Sequence, residues 1–123
     1  FDRRKRMTEK SLSRSLMIAF AAAGLVLSVP AAAQEVDADA AKALFKQNDC
    51  GKCHNPERNK KGPSLKKTAK EYKGKADAEQ QIIKHLTVSK KVKLDDGTEE
   101  DHKVVETKDP KVLSNLARWI LSH

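Results

Sequence analysis

Cysteine is nearly absent: among 123 residues only Cys50 and Cys53 carry a thiol. Two thiols cannot form a disulfide framework, and a zinc site of about four ligands would have to draw the rest from histidine. Methionine is missing from most of the chain, because Met7 and Met17 are the only two. Aromatic residues are few, and beyond residue 33 they are Phe45, Tyr72 and Trp119 alone. A chain of this size buries a modest share of its surface, so its own side chains make a thin core. There is no apolar run of the about 20 residues that a membrane-spanning helix needs. Internal repeats, low-complexity tracts and signs of a second domain are also absent.

The first third has a recognisable layout. Arg3, Arg4, Lys5, Arg6, Lys10 and Arg14 precede Leu16–Val29, fourteen mostly apolar residues, and Ala31-Ala32-Ala33 follows. A basic region, a short apolar region and small residues at a cleavage position make a secretory signal peptide, here residues 1–33. Phe1–Arg6 precede Met7 and read as an upstream extension. Residues 34–123, 90 in number, are then one periplasmic domain without stable membrane insertion, and an uncleaved anchor is the alternative. Of 25 basic and 17 acidic residues, six and two fall in the leader, which leaves 19 and 15 and a net charge near +4. That balance does not support nucleic-acid binding.

The chemistry sits at Cys50-Gly51-Lys52-Cys53-His54. The spacing C-x-x-C-H reads as a c-type haem attachment site. Each thiol can add to one haem vinyl group, and the imidazole that follows lies under the iron as its proximal ligand. A thioredoxin-like C-x-x-C would want a βαβ pattern around it, which is not visible. A disulfide across two residues would be strained and would leave His54 without a role. One covalent haem c also provides the apolar core that the side chains lack.

The periodicity is helical. Asp37 or Asp39 can cap a first helix with Ala41, Leu44 and Phe45 on one face, running directly into the haem motif. Ser64 can cap a short second helix carrying Leu65, Ala69 and Tyr72, with Gly74 as its stop. Ala76 to about Ser89 reads as a third, with Ile82, Ile83 and Leu86 inward. Asp109-Pro110 is a cap followed by proline at the first helical position, and Val112, Leu113, Leu116, Trp119 and Ile120 repeat behind it. About twenty residues between the third and last helices have little regular pattern, and a loop of that length is usually functional or disordered. The expected fold is all-α, about four helices wrapped around one haem.

With these residues in place, residues 38–122 resemble a class I monohaem cytochrome c of the small bacterial type. The resemblance rests on Leu44-Phe45-Lys46 before Cys50, Gly62-Pro63 after the haem motif, the stretch Tyr72–Glu79 and the closing Ala117–Ser122. It implies that the first and last helices cross with Phe45 near Trp119, and that the Pro63 carbonyl accepts a hydrogen bond from the His54 ring. Most class I cytochromes use methionine as the sixth iron ligand, and residues 34–123 contain none. The family takes its distal ligand from the loop before the last helix, where His102 lies seven residues ahead of Asp109. The resemblance therefore implies His54/His102 ligation, with a lysine or asparagine of that loop, or an empty position, as alternatives. His85 is expected at the edge of the core or in solvent, out of reach of the distal face. His123, the final residue, is expected to be poorly ordered.

Two imidazoles saturate the iron and leave electron transfer, so the expectation is a one-electron carrier and not an enzyme. Small bis-histidine cytochromes of this kind resemble periplasmic shuttles of iron-oxidising bacteria. The alternatives are a haem protein with an open or labile sixth site, and a membrane-tethered subunit of a redox complex. Lys60, Lys61, Lys66, Lys67, Lys70, Lys73 and Lys75 form either a solvated face or a basic rim that steers acidic redox partners, such as multihaem cytochromes, membrane oxidoreductases or oxidases. The acidic run Asp95–Asp101 lies elsewhere in sequence, which implies a dipole on a monomeric shuttle.

Overall fold

The computed structural model describes residues 35–123 together with the isolated Gly24. The leader, with Met7 and Met17, lies outside the described residues. Residues 35–123 belong to one compact unit with four α-helices among the described residues: α1 (Ala38–Gln47), α2 (Leu65–Tyr72), α3 (Ala78–Thr87) and α4 (Pro110–Leu121).

Three of the four helices start where a side chain can satisfy a free N–H group. The Asp37 carboxylate accepts from Ala40 N at 3.0 Å, Ser64 Oγ from Lys67 N at 3.0 Å, and the Asp109 carboxylate from Lys111 N at 3.0 Å. Such caps are worth about 1 kcal/mol each. Helix α3 is shorter than expected at both ends, and its Asp77 cap makes no side-chain hydrogen bond. Helix α1 stops short of the cysteines rather than running into them. Asn48 turns its own N–H and its Nδ2 onto the Leu44 carbonyl. Asp49 then takes a left-handed φ of 55°, the one non-glycine residue to do so among the described residues. The chain thereby swings into a turn of 3-10 helix at Cys50–Lys52.

Helix α4 is the spine, packing against α1, α2 and α3. Its Leu116 and Ala117 are wholly buried, with Leu113, Trp119 and Ile120 nearly so. Phe45 of α1 meets Trp119 edge-on, ring centroids 5.5 Å apart, so the first and last helices pack as the family resemblance implies. Glu79 of α3 accepts hydrogen bonds from Ser114 and from Arg118 Nε, and these hold its carboxyl below the usual range.

The segment between α3 and α4 departs from the irregular loop expected. It contains an antiparallel hairpin, β1 (Lys91–Lys93) and β2 (Glu99–Asp101), with Val92 opposite Glu100. Gly97, at φ 86°, and Asp96, whose carboxylate accepts from Thr98 N and Oγ1, close the turn. The hairpin tip reaches the basic stretch, where Asp95 N donates to the Lys61 carbonyl at 3.0 Å. The acidic run, elsewhere in sequence, thus begins beside Lys61 in the fold. Backbone bonding of the turn decides that placement, which charge separation along the sequence could not show.

Candidate haem site

A cavity of about 690 Å³ lies between the helices and the hairpin. Apolar walls come from Phe45, Leu65, Ile82, Leu116 and Ile120, and its polar groups include Cys50, Cys53, His54, His85 and His102. The volume falls in the range of about 300–1,000 Å³ usual for cofactor sites.

The 3-10 turn places the two cysteines. Cys53 N and His54 N both donate to the Cys50 carbonyl, at 3.1 and 2.9 Å. Both thiols are free and half-buried, and burial pushes the Cys50 thiol above its ordinary value.

His54 is held from behind by the loop that follows it. The Asn55 side chain accepts from Glu57 N and Arg58 N, and Asn59 Oδ1 accepts from Ser64 N. Gly62 N donates to the Cys53 carbonyl at 2.9 Å. This folding brings the Pro63 carbonyl 2.7 Å from His54 Nδ1. A carbonyl can only accept, so Nδ1 carries the proton and Nε2 keeps its lone pair. Gly62 is required here for space: a Cβ on it would lie 2.8 Å from His54 Cε1 and 3.2 Å from Nδ1. Sequence reasoning singled out Gly62-Pro63 as a pair, but the clearance against His54 is visible only in three dimensions.

His102 arrives from the hairpin. Its N donates to the Lys90 carbonyl at 2.8 Å, and its carbonyl accepts from Ser89 Oγ at 3.2 Å. On the far side Lys103 Nζ meets the Asp49 carboxylate at 3.2 Å, and Val105 N donates to the Leu86 carbonyl at 2.8 Å. The Lys103 hydrogen bond is the main reason Asp49 stays below the usual carboxylate range. His102 Nδ1 is the one buried side-chain polar atom with no partner among the described residues. Leaving such a group unpaired costs about 1–3 kcal/mol. Burial, then the charge of His54, depresses the His102 pKa.

The ring centroids of His54 and His102 are 6.2 Å apart. Two imidazoles on opposite sides of one metal ion have centroids about 6.3 Å apart, given a metal–nitrogen bond of about 2.0–2.1 Å and roughly 1.1 Å from nitrogen to ring centre. The donors present therefore fit a haem iron between them, with the thiols of Cys50 and Cys53 beside the same cavity.

Two histidines depart from expectation. His85 is half-buried at the edge of the core, as expected, but it is not out of reach of the distal side: it lines the cavity, its ring 4.2 Å from that of His102. It stands in sequence between buried Ile82 and Leu86 of α3, and burial, followed by the charges of His102, Lys90 and His54, pushes its pKa down to about 4. His123 is exposed yet engaged, with Nδ1 2.9 Å from the Trp119 carbonyl and its ring edge-on to the indole. An imidazole at a helix C-terminus meets unpaired carbonyls, which gives this terminal residue a partner.

A family profile described as Cytochrome c matches residues 38–123. Among solved structures, the class 1 cytochrome MtoD from Sideroxydans lithotrophicus ES-1 is 50% identical, covering 72% of this chain and 97% of its own, with a TM-score of 0.69. Wild-type cytochrome c552 of Nitrosomonas europaea is 27% identical over 66% of this chain and 96% of its own, TM-score 0.54. Its N64Del mutant gives 28% identity and a TM-score of 0.55 over the same shares. The comparison with curated proteins returns no match. The chain belongs to the cytochrome c family, as a small class I electron carrier with one covalently bound haem c.

Proposed function

We propose that the protein is a periplasmic one-electron carrier in which Cys50 and Cys53 hold haem c by thioethers and His54 and His102 are its two axial ligands. The observation that carries the reading is the 6.2 Å separation of the two imidazoles across one cavity. The lack of methionine beyond Met17 adds to it, because no thioether competes for the distal position.

When bound, haem c supplies a one-electron ferric/ferrous couple. The residues do the rest. The Pro63 carbonyl holds the His54 proton on Nδ1 and turns Nε2 inward, which raises the basicity of the ligating nitrogen. Leu65, Ile82, Leu116 and Ile120 exclude water from the apolar wall. Two imidazoles leave no iron position for a substrate, so the protein carries electrons and is not an enzyme. Imidazole in place of a thioether sets a lower reduction potential than in methionine-ligated relatives.

Residues 1–33 serve as the secretory leader, and among the described residues no helix is long and apolar enough to cross a membrane. The lysines of residues 60–75 are all exposed and suit brief encounters of a monomer with acidic surfaces of multihaem cytochromes, membrane oxidoreductases or oxidases.

His102→Met tests the ligand directly. A thioether at that position should raise the reduction potential and introduce the near-infrared band of methionine–iron ligation, absent from the unmutated protein. A variant with the parent's potential and spectrum would show that residue 102 is not at the iron.

A further inference from the structure

Ligation by His54 and His102 uses two of the three imidazoles in the cavity and leaves His85 without a task. Its ring lies 4.2 Å from that of His102, with the planes 46° apart. Among the described residues no hydrogen bond ties the His85 side chain to the protein, although the ring is half-buried. Its ring nitrogens are not fully buried, so no unpaired-group penalty attaches to them, and an uncommitted lone pair beside His102 is available to a metal ion.

The two neighbouring histidines are mounted differently. His85 sits on α3, fixed by buried Ile82 and Leu86 and by Glu79, which is bonded to Ser114 and Arg118 of α4. His102 sits at the end of a two-stranded hairpin whose ladder residues, except Val92, are exposed. The flanking Lys91–Asp101 pair is open to water, and such surface pairs contribute about 0–1 kcal/mol. Segments with few buried contacts open locally at lower free energy than packed helices. If the hairpin lifts, against the Lys103–Asp49 pair and the Val105–Leu86 bond that follow His102, His102 leaves with it and His85 remains in the cavity wall.

We propose that His85 is a reserve sixth ligand, so that loss of His102 exchanges one imidazole for another instead of opening the iron. The inference rests on the His54/His102 reading. In the exchange the donor bond from His102 breaks and one from a His85 lone pair forms; no electron moves and no co-reactant is needed. The His85 ring must shift into the place His102 vacates, 4.2 Å from centroid to centroid, a distance that a change of side-chain rotamer can cover. The result is a carrier whose iron stays closed to small ligands while its distal hairpin opens.

The test uses oxidised holoprotein for electron paramagnetic resonance and reduced holoprotein for carbon monoxide uptake, in four forms: unmutated, His85→Ala, His102→Ala and the double variant. His102→Gln, which keeps side-chain volume, is the second version of the critical variant. His102→Ala and His102→Gln should stay low-spin with shifted g-values and take up carbon monoxide at least about tenfold more slowly than the double variant. The double variant should be high-spin. High-spin His102→Ala and His102→Gln that bind carbon monoxide as fast as the double variant would overturn the reserve-ligand proposal and leave His102 as the resident ligand. A high-spin His85→Ala protein would instead overturn the His102 reading, because His85 would then be the resident ligand. A double variant that stays low-spin would overturn the reserve-ligand proposal, because a third group would then close the iron.

Discussion

Gly62→Ala places one methyl group against the proximal ligand, and its cost can be worked from the geometry. The new Cβ would lie 2.8 Å from His54 Cε1 and 3.2 Å from Nδ1, so the ring or the loop must give way. The ring is the group between the new methyl and the 2.7 Å hydrogen bond to the Pro63 carbonyl, so relief lengthens that bond. Overpacking costs about 1–3 kcal/mol, and weakening the hydrogen bond adds about 0.5–1.5 kcal/mol. For a domain of this size 1 kcal/mol is about 4–8 °C in Tm, so a fall of at least about 6 °C is expected. A less basic imidazole also stabilises ferric iron less, so the reduction potential should rise. Thermal melting followed at the Soret band and redox titration of the same samples read both effects. Gly74→Ala is the control: Gly74 has φ 81° and no atom within 4 Å of the place a Cβ would take, so the change should cost about 1–2 kcal/mol of backbone strain and leave the potential alone. A Gly62→Ala protein with the parent's Tm and potential would refute the argument that Gly62 gives His54 its room.

Three further outcomes are expected. The secreted product should have the mass of residues 34–123 plus one haem that survives acid denaturation, and replacing Cys50 and Cys53 by alanine should abolish covalent haem. Electron exchange with an acidic partner should slow as salt rises, because the Debye length shrinks from about 10 Å at 0.1 M to about 3 Å at 1 M; neutralising Lys66, Lys67 and Lys70 should flatten that dependence, and a salt-indifferent rate would return these lysines to a solvated face. Stability should fall as pH drops from 6.5 towards about 4, because the unfolded chain binds a proton that His85, at about 4 in the fold, refuses. Since the ring is half-exposed, the loss is at most about 1–2 kcal/mol, and His85→Leu should reduce it in acid unfolding curves.

Much of this was legible from residues alone, for identifiable reasons. The caps at Asp37, Ser64 and Asp109 are local, with donor and acceptor within three residues, so sequence spacing was enough to find them. The C-x-x-C-H pentapeptide is equally local. The hairpin has no clear sequence signature because its strands are almost entirely charged; Asp96-Gly97 is a turn signal, but Lys91–Lys93 and Glu99–Asp101 lack the apolar alternation that normally flanks one. The approach of His85 to His102 is not legible in the sequence for a different reason. Helical periodicity reports which face is buried, and here part of that face borders a cofactor cavity that no residue of the sequence represents. The clearance at Gly62 and the contact of Asp95 with Lys61 depend on chain segments brought together only by the fold, and neither has a local signature.

The most direct test of the central claim, one haem held between two imidazoles, is the electron paramagnetic resonance spectrum of the oxidised, unmutated protein, which reports spin state and axial ligand type together. The account predicts a low-spin ferric signal of the bis-imidazole type. A high-spin axial signal, or a low-spin signal whose second ligand is not imidazole, would contradict it.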